Sequence, residues 1–261
     1  MTEEDPVLVS RAGAVATVTI NRPHRKNAID LATWDGLLDA FRETERDDAV
    51  RVVVVTGADG DFSAGADLGA ERGGHPLTAM HRVNDVALAL NEITKPTIAK
   101  VDGVAVGAGW NLALGCDFVV ASERARFSQI FAKRGLSLDF GGSWLLPRLV
   151  GMQQAKRLAL RAEMIDAAQA RELGLVTWVK PAGELDSFVD ELAAELAAAP
   201  PIALALSKKL LEEGASRTLR EALEGEARAQ AVNFATEDAP AAFEAFLGRT
   251  EAKYTGRWAV R

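Results

Sequence analysis

Two glycine-rich segments carry the residues best suited to chemistry. The first, 61–68, reads Asp-Phe-Ser-Ala-Gly-Ala-Asp-Leu, and the second, 101–109, reads Val-Asp-Gly-Val-Ala-Val-Gly-Ala-Gly. Small residues let the backbone approach a ligand closely, and the second segment leads into a predicted helix whose first N–H groups are free. Side by side, the two segments could aim two N–H groups at one oxygen. Either segment alone is better explained as a tight turn in a packed α/β protein.

Metal chemistry lacks the residues that it needs. The histidines His24, His75 and His81 show no metal-ligand spacing, and the single cysteine, Cys116, has no partner. We therefore expect no metal site. His81 follows the first segment on a predicted helix, and we interpret it as a surface residue in preference to a pocket residue.

Nucleotide binding and hydrolase chemistry are equally unsupported. The frame Gly107-x-Gly109-x-x-Leu112 lacks the third glycine of a dinucleotide fingerprint, and Asp117 comes too soon to bind a ribose. The chain contains neither a G-x-x-x-x-G-K-[S/T] phosphate loop nor a G-x-S-x-G nucleophile motif. We expect no separate cofactor.

Alternating strand and helix patterns must position the two segments. Strands are predicted at 15–20, 50–56, 97–101, 118–121, 125–128 and 176–179. Helices are predicted from the N-cap Asp30 to 47, at 78–93, from about 110, at 141–149 and 152–160, and from the N-cap Asp166 to 173. Residues 57–74 are expected to form a long loop and residues 102–109 a turn, so each segment follows a buried strand. The pattern predicts an α/β fold.

The pattern changes beyond Gly183, where alanine-rich helices follow one another and Pro200–Pro201 interrupts them. This part has too few large apolar residues for a core of its own. We predict a catalytic core over residues 1–183 and a helical extension over residues 184–261 that covers the core or packs against other subunits.

Composition narrows the class of protein. The chain has 261 residues, of which 48% are hydrophobic and 26% charged, and its net charge is −7. The acidic balance argues against nucleic-acid and membrane-surface roles, which need basic faces. One cysteine fits a reducing compartment, and we see neither a signal peptide nor a membrane span. We expect a soluble cytoplasmic protein.

Several motifs in one order carry a resemblance to a known family. The first segment resembles the F-x-A-G-A-D-L motif of the crotonase superfamily, also called the enoyl-CoA hydratase/isomerase family, and the second resembles its G-x-A-x-G-x-G motif. Residues 21–28 resemble its N-R-P-x-x-x-N-A turn, 95–99 its K-P-x-I-A strand entry, 141–148 its G-G-S-x-x-L-P-R helix start and 167–176 its A-x-x-A-x-x-x-G-L-V segment. The resemblance extends over about residues 21–179.

The resemblance implies a fold and an electrophilic site. Crotonases fold as a spiral of β-β-α units with a C-terminal helical trimerisation region, and they form trimers or dimers of trimers. Their substrate is an acyl-CoA thioester, with CoA entering as part of the substrate. Their two oxyanion-hole N–H donors correspond here to Ala66 and Ala108. Each such donor contributes roughly 3–4 kcal/mol to transition-state stabilisation.

The resemblance also implies contacts with CoA. The Arg25–Lys26 turn is expected near the phosphates, and the backbone of Ala64, Asp67 and Leu68 near the adenine. Lys253, in the C-terminal tail, is expected to reach the ligand, within its own subunit or from a neighbouring one. A solvated surface charge is the equally weighted alternative for each of these basic residues.

The family's proton-transferring residues are replaced in this chain. Hydratases of the family use two glutamates, whose positions hold Asn111 and Phe131 here. Asn111 could hold a water, but Phe131 cannot transfer protons. Asp139 stands where members that shift double bonds, including dienoyl-CoA isomerases and the epoxyphenylacetyl-CoA isomerase group, carry an aspartate. Because Leu138 and Phe140 flank Asp139, desolvation is expected to raise its pKa. An N-cap on the following helix is the alternative role for Asp139.

Aromatic residues surround this stretch of the sequence. Trp110, Phe131, Phe140 and Trp144 would line a pocket for an apolar or aromatic acyl group, although core packing explains any one of them equally well. We predict an enoyl-CoA isomerase that stabilises an enolate and uses Asp139 as its one acid and base. Hydratase, decarboxylase and dehalogenase activities on the same enolate, and an inactive acyl-CoA-binding protein, are the alternatives.

Overall fold

The structure is a computed structural model that describes residues 5–70 and 74–259. The described residues form two compact units. The first comprises the residues up to Ile93 together with Thr97–Ala193, and the second comprises Thr94–Pro96 and the residues from Ala194 onward. No helix among the described residues is both long enough and apolar enough to cross a bilayer.

The strands of the first unit form two sheets. Their bounds are β1 Val7–Ala12, β2 Val15–Ile20, β3 Val52–Gly57, β4 Thr97–Val101, β5 Val104–Val106, β6 Phe118–Ser122, β7 Arg126–Ser128, β8 Ile165–Asp166 and β9 Trp178–Lys180. Within the described residues, one sheet has the order β1-β2-β3-β4-β6-β9 and the other the order β5-β7-β8. In the larger sheet β1 is antiparallel to β2, and the remaining neighbours are parallel. The valine-rich β3 lies inside this sheet and is buried, as parallel strands are.

The helices alternate with strands along the first part of the chain, and the last four described helices follow one another at its end. Their bounds are α1 Leu31–Arg46, α2 Pro76–Asn91, α3 Ala108–Leu114, α4 Gly142–Arg161, α5 Ala167–Glu172, α6 Leu185–Ala198, α7 Pro201–Gly214, α8 Leu219–Phe234 and α9 Asp238–Gly248. The predicted N-caps are confirmed, since Asp30 accepts a hydrogen bond from the Thr33 N–H and Asp166 forms a capping box with Gln169. The two helices predicted at 141–149 and 152–160 are one element, α4, which is interrupted where Gly151 adopts a non-helical conformation.

Two details of the first unit differ from the predictions. The turn expected at residues 102–109 contains a strand, β5, which pairs with β7. The loop expected at residues 57–74 includes a 3-10 turn at Ala58–Gly60 and two isolated bridges, Ile29 with Ala66 and Ser63 with Ala105. Each of these pairings is only one to three residues long and joins residues that are far apart in the sequence. Local periodicity therefore cannot predict them.

The second unit is helical. Large apolar side chains on α7, α8 and α9 are exposed in the isolated chain: Leu211, Leu219, Leu223, Phe234, Phe243, Phe246 and Leu247. The prediction that these helices cover the core or pack against other subunits stays a prediction.

Candidate active site

The first glycine-rich segment is fixed on both sides of Ala66. The Ile29 N–H donates a hydrogen bond to the Gly65 carbonyl at 2.8 Å, and the Asp67 N–H donates to the Ile29 carbonyl at 2.8 Å. Backbone groups alternate in direction along an extended chain. The Ala66 N–H therefore points away from Ile29, on the side left open by this pairing.

Gly65 brings this segment against the start of α3. Its φ is +84°, and a Cβ built on it would lie 2.6 Å from the Val106 carbonyl oxygen and 3.6 Å from the Ala108 nitrogen. Only glycine fits such a position without displacing its neighbours. Within the described residues, neither the Ala66 N–H nor the Ala108 N–H donates a hydrogen bond to the protein. The two predicted donors are thus brought together, with free N–H groups on adjoining segments.

A polar turn between β2 and α1 supports the first segment. The buried side-chain amide of Asn27 donates to the carbonyls of Ala58 and Asp61, at 2.8 and 2.6 Å, and accepts a hydrogen bond from the Arg22 N–H at 2.9 Å. The Ser63 hydroxyl donates to the Asn27 carbonyl at 2.7 Å and accepts from the Gly65 N–H at 3.1 Å. Asn27 and Ser63 lie within the quoted motifs, but the sequence offered no partners from which to assign them this supporting role.

An ion pair between Arg22 and Asp67 connects the turn between β2 and α1 to the end of the first glycine-rich segment. The Arg22 guanidinium contacts the carboxylates of Asp67 and Asp30, each at 3.0 Å. Burial raises the pKa of Asp67, but the hydrogen bond and charge of Arg22, the Gly69 N–H and the charge of Arg25 outweigh it and hold that pKa below its ordinary value. Asp67 is therefore ionised at neutral pH and serves the backbone geometry of the loop.

Most residues expected to contact CoA lie together beside this turn. The Ala64 N–H donates to the Lys26 carbonyl at 2.9 Å, and the Lys26 ammonium lies 3.8 Å from the Asp61 carboxylate. Arg25, Lys26 and Leu68 are exposed on the surface of this turn and loop. Lys253 is exposed in the second compact unit, in the tail after α9.

Asp139 lies at the end of an exposed loop, where the chain turns back into the core. Its Oδ1 atom is buried without a hydrogen-bond partner among the described residues. Desolvation raises the pKa of Asp139 from 3.8 to about 6. The next residue, Phe140, is buried with a φ of +45°, an uncommon conformation for a bulky side chain. Its ring stacks on Trp34 at 5.5 Å, which holds this turn in place.

The alternative role of Asp139 as a helix cap is wrong. Helix α4 begins at Gly142, its N-cap is Gly141, and no side chain caps it. Asp139 contributes only its backbone carbonyl, which accepts a hydrogen bond from the Gly142 N–H at 2.9 Å. The carboxyl group is therefore free for another use.

Asn111 lies beneath Asp139 and is fully buried. Its side-chain nitrogen donates to the Asp139 carbonyl at 2.9 Å, and its side-chain oxygen accepts from Gln129 at 2.8 Å. Asn111 is one turn along α3 from Ala108 and so lies on the same helix face. The contact therefore attaches the Asp139 loop to the helix that supplies one of the two N–H donors. The role of Gln129 was missed because only the fold reveals its partner.

Aromatic side chains lie on two sides of this arrangement. A Cβ built on Gly107 would lie 3.6 Å from the Phe131 ring, so the ring packs where the second segment enters α3. Phe140 and Trp144 line a cavity of about 290 Å³ between the ends of α2 and α3 and the start of α4. The Arg148 guanidinium lies 4.0 Å from the Trp144 ring centre. The cavity is predominantly apolar and adjoins the residue after Asp139.

Trp110 is a core residue in the isolated chain. It is fully buried, its ring centre lies 5.3 Å from that of Phe127, and its indole nitrogen has no hydrogen-bond partner among the described residues. Across residues 5–70 and 74–259, no group of three or more His, Cys, Asp or Glu side chains converges in a way that would hold a metal ion.

The burial of the Asp139 carboxyl group can be tested by measuring the free energy of unfolding at two pH values. Between its ordinary pKa of 3.8 and the value of about 6, the folded protein binds more protons than the unfolded chain, so stability falls as pH rises. Asp139→Asn removes the ionisable group. We therefore expect the difference in the free energy of unfolding between this variant and the parent to shift by about 2 kcal/mol in favour of the variant from pH 4.5 to pH 7.5. Chemical denaturation at both pH values measures this gain. Asp39→Asn, at an exposed position on α1, is the control and should show no such change. An equal stability difference at both pH values would contradict the burial of a charged carboxylate.

Comparison with known proteins identifies the class to which this fold and site belong. The family model for enoyl-CoA hydratase/isomerase matches residues 10–257. The solved structure of an enoyl-CoA hydratase from Bacillus anthracis superimposes with a TM-score of 0.92 at 30% identity, covering 97% of this chain and 100% of that one. The chain thus has the crotonase fold that the motifs predicted.

The sequences of characterised relatives agree. The chain is 35% identical over 251 residues to 1,2-epoxyphenylacetyl-CoA isomerase of Escherichia coli, which covers 93% of this chain and 95% of that protein. It is 36% identical over 249 residues to short-chain-enoyl-CoA hydratase of Clostridium acetobutylicum, covering 94% and 95%. This chain belongs to the enoyl-CoA hydratase/isomerase family, as the resemblance indicated.

Proposed function

We propose that this enzyme is an enoyl-CoA isomerase, which moves a double bond of an acyl-CoA through a stabilised enolate. The observation that supports it most is the Asp139 carboxyl group, whose buried oxygen has no hydrogen-bond partner among the described residues. A carboxyl with a pKa of about 6 is ionised enough to accept a proton at neutral pH and protonated readily enough to return it. The free N–H groups of Ala66 and Ala108 supply the complementary stabilisation of negative charge.

The proposed reaction is a 1,3-proton shift. The thioester oxygen accepts hydrogen bonds from Ala66 and Ala108, and the Asp139 carboxylate removes a proton from the acyl chain. The resulting dienolate carries its charge on the thioester oxygen, where the two donors stabilise it. Asp139 then returns the proton to a different carbon, and the double bond has moved. One acid is sufficient, and the reaction needs no cofactor beyond the CoA portion of its substrate.

The residues at the two glutamate positions weigh against hydration. Both ends of the Asn111 amide are engaged by protein partners, and Phe131 has no proton to exchange. Addition of water ordinarily needs two proton-transferring groups. The apolar cavity at Phe140 and Trp144 supports an apolar acyl group in the substrate.

The remaining assignments extend the proposal to the whole ligand. Arg25 and Lys26 bind the phosphates of CoA, the backbone of Ala64, Asp67 and Leu68 contacts its adenine, and Lys253 binds from the C-terminal tail. The exposed apolar side chains of α7, α8 and α9 support assembly into a trimer or a dimer of trimers.

Product analysis tests the proposed reaction. We expect incubation with a 3-enoyl-CoA in deuterated water to give the 2-enoyl isomer with deuterium in the acyl chain, detected by mass spectrometry and NMR. Incubation in ¹⁸O-labelled water should leave the acyl chain free of the label. A labelled 3-hydroxyacyl-CoA as the main product would instead establish a hydratase. Tight binding of several acyl-CoAs without exchange or turnover would establish a non-catalytic binding protein.

A further inference from the structure

The side chain of Gln129 is fully buried just after β7 and hydrogen-bonds to Asn111, whose amide in turn holds the Asp139 carbonyl. We propose that Gln129 is a positioning residue: by fixing the orientation of Asn111, it holds the Asp139 backbone against α3, the helix that begins at Ala108. This inference rests on the proposed role of Asp139 as the proton carrier.

The hydrogen-bond pattern determines which way the Asn111 amide faces. The Asp139 carbonyl can only accept, so it needs the Asn111 nitrogen on its side, where the contact is 2.9 Å. The Asn111 oxygen must then face Gln129, whose nitrogen donates to it at 2.8 Å. If the Asn111 amide were reversed, two carbonyl-type oxygens would face each other. The Gln129 donor stabilises the orientation that serves Asp139.

The arrangement leaves little freedom for movement. A Cβ built on Gly142 would lie 2.4 Å from the Asn111 side-chain nitrogen, so the amide packs directly against the α4 backbone. The Asp139 carbonyl also accepts from the Gly142 N–H at 2.9 Å, which occupies both of its lone pairs. The loop is fixed at this one atom, immediately before the strained Phe140.

The free-energy cost of burying the Gln129 amide indicates that this residue has a role beyond packing. Its side-chain oxygen is buried and has no hydrogen-bond partner among the described residues. An unpaired buried oxygen lowers stability, and a methionine of similar size would fill the same volume but would leave the Asn111 oxygen without its donor. A glutamine here is thus explained by the donor that it presents to Asn111.

The experiment combines Gln129→Met with measurements of kcat, KM and stability. We expect kcat for the double-bond shift to fall about 10- to 100-fold, while KM changes less than threefold. Thermal stability should change little, because the variant exchanges one unpaired buried oxygen, that of Gln129, for another, that of Asn111. Asn111→Leu should lower kcat at least as much, and the double variant should be no slower than Asn111→Leu alone, because the two residues act in series. Thr44→Val is the matched control: it removes buried hydrogen bonds inside α1, which should lower stability and leave kcat unchanged.

The Asp139→Asn background separates positioning from a general structural role. If Gln129 acts through Asp139, then Gln129→Met should not reduce the residual proton exchange of the Asp139→Asn variant further. A kcat within twofold of the parent, or an equal loss of exchange in both backgrounds, would overturn the inference. Either result would leave the proposed function standing, since that function is tested separately, by the products that the enzyme forms and by the exchange rate of Asp139→Asn.

Discussion

Asp139→Asn is expected to lower the rate of proton exchange and double-bond shift by about 10³-fold, within the 10²- to 10⁴-fold range of general acid–base catalysis. Asparagine keeps the shape of the side chain but cannot carry the proton. Since the N–H groups of Ala66 and Ala108 remain, the dissociation constant of a saturated acyl-CoA should change less than threefold. Exchange of acyl protons with deuterated water, followed by mass spectrometry, measures the loss directly.

The pH dependence of the parent enzyme sharpens this prediction. The base is the ionised form, so kcat/KM should rise with pH through about 6 and then level off. The residual rate of Asp139→Asn should lack this rise, whereas the control Asp39→Asn should retain both rate and profile. Undiminished exchange in Asp139→Asn would remove Asp139 from the mechanism.

Gly65→Ala is expected to lower kcat by about 10²- to 10³-fold, the loss associated with one oxyanion-hole donor. The added Cβ would meet the Val106 carbonyl oxygen at 2.6 Å and must push the first segment away from Ala108. The two N–H groups would then no longer converge on one oxygen. Steady-state kinetics on the folded variant, verified by circular dichroism, measures the effect.

Gly13→Ala provides the matched control for Gly65→Ala. Gly13 also has a positive φ, +59°, but a Cβ there meets nothing within 4 Å. Both variants incur the cost of a left-handed alanine, roughly 1–2 kcal/mol, while only Gly65→Ala disturbs the donors. A Gly65→Ala enzyme with kcat within threefold of the parent would show that the two segments do not form the oxyanion hole.

The two glycine-rich segments could be located because their signal is local, whereas their assignment as oxyanion-hole donors came from the resemblance. Small residues at 64–66 and 107–109 mark a backbone that approaches a ligand, and a buried strand before each segment places them at one side of a sheet. The caps at Asp30 and Asp166 were predictable for the same reason, since a capping residue contacts a position three residues away. Asp139 was identified through the resemblance, since members that shift double bonds carry an aspartate there, and its apolar neighbours predicted its raised pKa.

Other features depend on contacts between distant residues. The pairing of Ser63 with Ala105 and the hydrogen bond from Gln129 to Asn111 leave no periodic trace in the sequence. The burial of Trp110 could not be separated from a pocket position, because a core and an apolar pocket use the same residue types. The positive φ of Phe140 was equally unpredictable, since the Trp34 ring on which Phe140 stacks lies more than 100 positions away in the sequence.

The backbone of Asp139 is held by hydrogen bonds and its carboxyl group is not, and this difference determines how far the carboxyl group can move. Its carbonyl is held by Asn111 and Gly142, whereas its Oδ1 atom is held by no described residue. A carboxyl group with a fixed base and an untethered tip can rotate about its side-chain bonds without breaking hydrogen bonds. In the proposed reaction, this freedom would let the carboxyl group take a proton from one carbon and deliver it two bonds further along the acyl chain. The missing hydrogen bond lowers the stability of the folded protein, and it also leaves the carboxyl group of Asp139 free to rotate.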